Sequence, residues 1–167
     1  MYDKLTQSDI KKMEDEIEYR KLVVRKEAIQ AVKEAREHGD LSENFEYHAA
    51  KKEKNRNESR IRYLERMIRT AQVISEDSRD DEVGMNDKVE IYFVDDDECE
   101  TIRMVTTIRE DALNGLISNE SPLGKAIFGH RVGETVHVRV NDNYGYDVEI
   151  RSIEKHVDDS GDRIRGY

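Results

Sequence analysis

The amino-acid sequence predicts an α+β protein in two parts: an N-terminal antiparallel coiled-coil helical hairpin and a small C-terminal α+β domain. Three observations predict it. The first 83 residues contain one Gly, Gly39, and no Pro, whereas the remaining 84 carry eight Gly and the only Pro, Pro122. Apolar residues recur at helical spacing on both sides of Gly39, and short strand-like runs bounded by turn residues follow residue 88. Finally, 40% of the 167 residues are charged and only 36% hydrophobic, too polar for one compact core, which calls for an extended part with a high surface-to-volume ratio.

In chain order, Ser8 to Glu37 forms the first arm, rich in Lys, Glu, Arg, Ala and Ile. Its apolar stripe reads Ile10, Met13, Ile17, Leu22, Ala28, Ile29, Val32 and Ala35. Beyond Gly39, Ala50, Asn57, Leu64 and Ala71 recur every seven residues, with Ile61 and Ile68 between them, as a and d positions of a heptad. Two such segments joined by a short break turn back on each other. Arms of about 30 residues give a rod of about 45 Å at ~1.5 Å rise per residue. Residues 76–87 have no periodicity and read as a linker. Val89 to Val94 reads as a strand, Asp95 to Glu98 as an acidic turn, and Thr101 to Ile108 as the return strand. Leu116-Ile117, Thr135 to Val140 and Tyr146 to Ile153 are further strands. Ser121 is suited to cap a short helix with Pro122 at its first position, running to about Phe128 and stopped by Gly129. The expected organisation is a hairpin over 1–75 with a functional tip at 36–48, a linker over 76–87, a globular domain over 88–157 and a mobile tail over 158–167.

Composition narrows the function classes. No apolar run reaches the ~20 residues of a membrane helix, and the N-terminus lacks the apolar core of a secretory signal. Cys99 is the single cysteine, so there is no intrachain disulfide framework or cysteine metal site. A soluble, cytoplasmic protein without a membrane partner is expected. The net charge of -10 is uneven: residues 1–75 balance to +2 and residues 76–167 to -12. A simple duplex-DNA binder would be basic or carry a basic face. Nucleic acid would therefore be met through the first half, and a basic protein surface through the second.

At the break the chain reads Arg36-Glu37-His38-Gly39-Asp40-Leu41-Ser42-Glu43-Asn44-Phe45-Glu46-Tyr47-His48. Asp40 and Glu43, three apart, can converge their carboxylates on one Mg²⁺. Two ligands leave most of an octahedral shell to waters or a partner's phosphates. The same Asp-x-x-Glu spacing fits a capping box that satisfies helix N–H groups. Spacing alone leaves both readings open. Behind the tip, Arg36, Lys51, Lys52, Lys54 and Arg56 either hold RNA phosphates or form a solvated helix face. Tyr47 suits base stacking or packing in the seam. Ser42 has no base partner and is not read as a nucleophile.

These residues carry a resemblance. Glu34-Ala-Arg-Glu-His-Gly-Asp-Leu-Ser-Glu-Asn-Phe-Glu-Tyr-His-Ala-Ala50 resembles the tip signature of the bacterial Gre transcript cleavage factors, in their GreA-like form. Ile117-Ser-Asn-Glu-Ser-Pro-Leu-Gly-Lys-Ala-Ile-Phe-Gly129 resembles a second segment of that family. The resemblance implies an FKBP-like second domain docked on the rim of the RNA polymerase secondary channel, with the coiled coil reaching the active centre. Asp40 and Glu43 would then be the catalytic acids, sharing an Mg²⁺ with the bacterial RNA polymerase so that the polymerase cleaves backtracked RNA near its 3′ end. On this implication the protein is an accessory factor rather than an enzyme by itself. Arg36, Lys51 and Lys52 match the RNA-facing basic patch, and Ser121 and Pro122 the polymerase-docking segment. A non-cleaving relative that merely occupies the channel is the alternative. Two departures stand out. Lys26 lies near a Pro common in the first arm of GreA-like members, which leaves that arm's bend open. Ser42 and the basic run over 51–56 lean toward the GreB-like form.

Overall fold

The computed structural model describes residues 3–39, 43–155 and 157–166. Two compact units emerge: Asp3 with Ile10–Gln72, and Lys4–Asp9 with Val73 onward. The expected α+β class, a helical hairpin plus a small sheet domain, is what the chain adopts.

The elements of the first part are β1 (Lys4–Leu5), α1 (Gln7–Tyr19), a π-helical turn over Arg20–Val24, α2 (Arg25–Arg36), α3 (Phe45–Thr70) and β2 (Gln72–Val73). α1 starts on a capping box. The Thr6 hydroxyl accepts from Asp9 N–H at 3.2 Å, and the Asp9 carboxylate accepts from Thr6 N–H at 2.9 Å.

In the hairpin unit, α3 buries Tyr47, Asn57, Ile61, Leu64 and Met67 along the seam, and the first arm meets them with Met13 and Ala35. The π turn alters the expected stripe. It adds one residue to the turn, so after Ile17 the inward positions become Val24, Ala28 and Ala35. Leu22 and Ile29, expected in the seam, are instead 55% and 48% exposed. The cause lies across the seam. Asn57, buried at a heptad a position, donates to the Arg20 carbonyl at 3.3 Å and accepts from Arg20 Nη1 at 3.0 Å. The Arg20 carbonyl also takes the Arg25 N–H that closes the wide turn. Glu16 completes the knot, accepting from Arg20 Nε at 2.7 Å and Arg60 Nε at 2.8 Å. Burial pushes the Glu16 carboxyl up, but hydrogen bonds from Arg60 and Arg20 outweigh it and hold it below the usual range.

The sheet unit holds β3 (Lys88–Phe93), β4 (Glu98–Val105), β5 (Leu116–Ser118), α4 (Pro122–Ile127), β6 (Thr135–Arg139) and β7 (Gly145–Glu154). Strand order is β5-β4-β3-β7-β6, antiparallel except for the parallel β4–β5 pair. Val89, Ile91, Ile102, Met104, Val138, Val148 and Ile150 form its core with Ile127 of α4. Every expected strand is present, with ends shifted by up to three residues.

Two segments depart from expectation. The linker over 76–87 is part of the core, with Val83 and Met85 buried. Gly84 is required there, because a Cβ would lie 2.1 Å from Ser78 Oγ. Lys155 clasps the segment, donating to Ser78 Oγ at 2.6 Å, to the Glu82 carbonyl at 3.0 Å and to Asp87. The tail, read as mobile, packs as a strap. Asp162 pairs with Arg103 and accepts from Arg109 Nη1 at 2.9 Å, Ile164 is buried, and Arg165 N–H donates to the Ile108 carbonyl at 2.8 Å. Arg109 is fully buried and is also held by Asp9 at 2.6 Å. A buried guanidinium without carboxylates would be strongly destabilising, which is why the acidic tail is drawn in.

Candidate functional site

The site is the hairpin end. α2 finishes at Arg36, and Gly39, at φ +147°, takes a backbone conformation that a side chain would resist. Asp40 lies outside the described residues, as does Ser42. Glu43 is described and exposed.

Helix α3 starts four residues later than a capping box built on Asp40 and Glu43 would require. Its N-cap is Asn44, whose Oδ1 accepts from Tyr47 N–H at 3.0 Å. The Asn44 Nδ2 donates to the Ala35 carbonyl at 2.6 Å, so one side chain both opens the second arm and ties it to the end of the first. Glu43 therefore precedes the cap. Its carboxylate is not at the N3 position that would satisfy a cap N–H, and the capping-box reading of this pair is corrected. Glu43 remains an exposed, hard oxygen donor that suits Mg²⁺. Among the described residues, no group of three or more His, Cys, Asp or Glu could hold a metal ion.

Around this end the structure sorts the remaining residues. Tyr47 is buried, so packing wins over stacking for this ring. The Arg36 guanidinium lies 5.5 Å from the ring centroid. A hydrogen bond from Arg36, and the charges of Lys51, Arg36 and Lys54, pull the Tyr47 hydroxyl below its ordinary value against the effect of burial. Lys51 and Lys52 are exposed, whereas Arg56 pairs with Glu53 at 3.1 Å. His38 Nδ1 meets Glu46 at 2.6 Å, and that hydrogen bond with the Glu46 charge raises the imidazole above 6.5.

Asn44, Phe45, and the His38–Glu46 pair were not singled out from sequence. Asn directly before a periodic helical run is the cap signal that identifies Asn44. Exposure of Phe45 follows only once that helix start is fixed.

In the sheet unit, Ser121 and Pro122 sit where they were expected. Ser121 Oγ accepts from Gly124 N–H at 3.0 Å and donates to the Ser118 carbonyl at 2.7 Å, with Pro122 opening α4. Gly124 passes so close that a Cβ would fall 2.0 Å from the Ser118 carbonyl oxygen. The hydroxyl of Ser118, the last residue of β5, meets the Thr107 hydroxyl at 3.1 Å. Among the described residues no helix is long and apolar enough to cross a membrane.

Comparison with known proteins places both units. The family described as "Transcription elongation factor, N-terminal" matches residues 4–73, and "Transcription elongation factor, GreA/GreB, C-term" matches residues 77–155. Transcription elongation factor GreA of Geobacillus kaustophilus is 45% identical over 136 residues, covering 81% of this chain and 86% of that one. GreA of Acholeplasma laidlawii is 40% identical over 149 residues, covering 89% and 94%. The solved structure of GreA factor homolog 1 (Gfh1) of Thermus thermophilus aligns at 27% identity and TM-score 0.42, covering 92% and 99%.

Proposed function

Because the chain belongs to the GreA/GreB family of transcription elongation factors, we propose that its hairpin tip completes a divalent-metal site inside RNA polymerase. The reaction stimulated is hydrolysis of backtracked RNA near its 3′ end, which returns an arrested complex to elongation. The observation that carries this reading is Glu43, exposed ahead of a helix that Asn44 caps in its place.

The chain's residues take distinct parts. Glu43 and Asp40 supply carboxylate oxygens toward Mg²⁺ held mainly by the polymerase. A divalent ion held there would supply a more acidic bound water and charge stabilisation for the attacking and leaving oxygens. Arg36, Lys51 and Lys52 hold RNA phosphates, and Asn44 fixes the turn that carries Glu43. Ser121 and Pro122, rigidly presented by the capped start of α4, dock on the polymerase rim. The -12 balance of residues 76–167 suits a basic dock. The chain is an accessory factor, and the polymerase performs the chemistry.

The test is a cleavage assay on backtracked complexes. Alone, the chain should leave RNA intact; added to arrested polymerase with Mg²⁺, it should shorten the transcript from its 3′ end. Glu43→Gln and Asp40→Asn should each lose most of that stimulation while still competing with wild type for polymerase. Undiminished stimulation by both variants would overturn the reading.

A further inference from the structure

Helix α3 opens on a large aromatic side chain with no role in the hairpin. Phe45 is 86% exposed, two residues after Glu43, while its neighbour Tyr47 is buried. At 3.6 residues per turn, His48 and Lys52, three and seven positions on, fall on the same side of α3 as Phe45. Both are exposed. One helix side therefore carries, in order from the tip, an aromatic ring, an imidazole and an ammonium group.

Resting on the proposed function, we infer that Phe45 is a stacking platform for an unpaired base of the extruded RNA 3′ segment, positioning that segment against the acids at the tip. The chemistry matches a single strand on two counts. An exposed aromatic face accepts any base, whereas Lys52, about 10 Å further along the helix at ~1.5 Å rise per residue, reaches the backbone rather than the same base. The Lys52 ammonium on that same side makes it attractive to phosphates and unsuited to a basic protein wall. An exposed ring at this position adds little to folding, so its removal separates binding from stability.

The experiment uses arrested complexes assembled with RNA whose backtracked 3′ nucleotides carry normal bases, or are abasic, at limiting factor. Phe45→Ala should slow stimulated cleavage about tenfold on normal RNA, equivalent to one stacking contact. On abasic RNA it should match wild type, and Phe45→Trp should restore the rate on normal RNA. Thermal melting of Phe45→Ala should stay at the wild-type value. An equal loss on abasic RNA would mean that Phe45 touches the polymerase, and no loss on normal RNA would mean that it touches nothing; either overturns the inference. If Asp40→Asn abolishes cleavage while Phe45→Ala does not slow it, the inference fails and the proposed function stands. If wild type stimulates no cleavage, both fall.

Discussion

At the scale of single residues, Asn44 and His38 decide how the tip is held. Asn44 joins the start of α3 to the end of α2 through its two amide hydrogen bonds. Asn44→Ala should cost about 1 kcal/mol, the usual worth of an N-cap, read as a lower melting temperature for the hairpin. An unchanged melting temperature would show that the cap is not used in solution. His38 offers a pH readout. Its hydrogen bond to Glu46 and the charge of that carboxylate raise its pKa, so the charged ring is favoured in the folded chain. The stabilisation from this pair is fully present below the unfolded histidine value and fades as pH rises through the folded one. An NMR titration should place His38 above the ordinary 6.5, and Glu46→Gln should bring it back. A wild-type value at or below 6.5 would contradict the pairing.

At the scale of elements, the sequence disclosed helices and strands well and the details between them poorly. The heptad of α3 was readable because a and d residues sit in one continuous helix. The first arm was not, because its π turn depends on Asn57, 37 positions away, reaching the Arg20 carbonyl. No local pattern in Arg20–Val24 announces that contact, and Leu22 and Ile29 were therefore assigned to a seam they do not enter. The same limit applies to the site. Asp-x-x-Glu suggested a capping box, and only the observed helix start at Phe45 separates Glu43 from the cap. Ser121 and Pro122, by contrast, were legible because cap and first-turn preferences are local. Asn57→Ala should destabilise the hairpin by about 1–2 kcal/mol, since Arg20 loses both hydrogen bonds across the seam. Denaturant melts of the two proteins measure this, and equal midpoints would mean that the π turn does not rest on Asn57.

At the scale of the whole chain, segments that resemble connectors turn out to be structural because they neutralise buried charge. Asp87 meets Lys155, and Asp159 and Asp162 meet Arg109, so 76–87 and 157–166 both close over the sheet unit. A chain ending at residue 156 should lose several degrees of melting temperature in the sheet unit, because among the described residues buried Arg109 keeps only Asp9 as a carboxylate partner. Calorimetry that finds no change would contradict the strap. The functional logic combines a polar hairpin bearing an exposed acid with a sheet unit that presents a rigid capped segment. In the proposed role the tip carboxylates act on a metal ion rather than on binding. The most direct measurement is the Mg²⁺ dependence of stimulated cleavage by wild type and Glu43→Gln on the same arrested complexes. The proposed role predicts a higher half-maximal Mg²⁺ concentration for Glu43→Gln, with the half-saturating factor concentration unchanged. An unchanged Mg²⁺ requirement with weakened factor binding would contradict it.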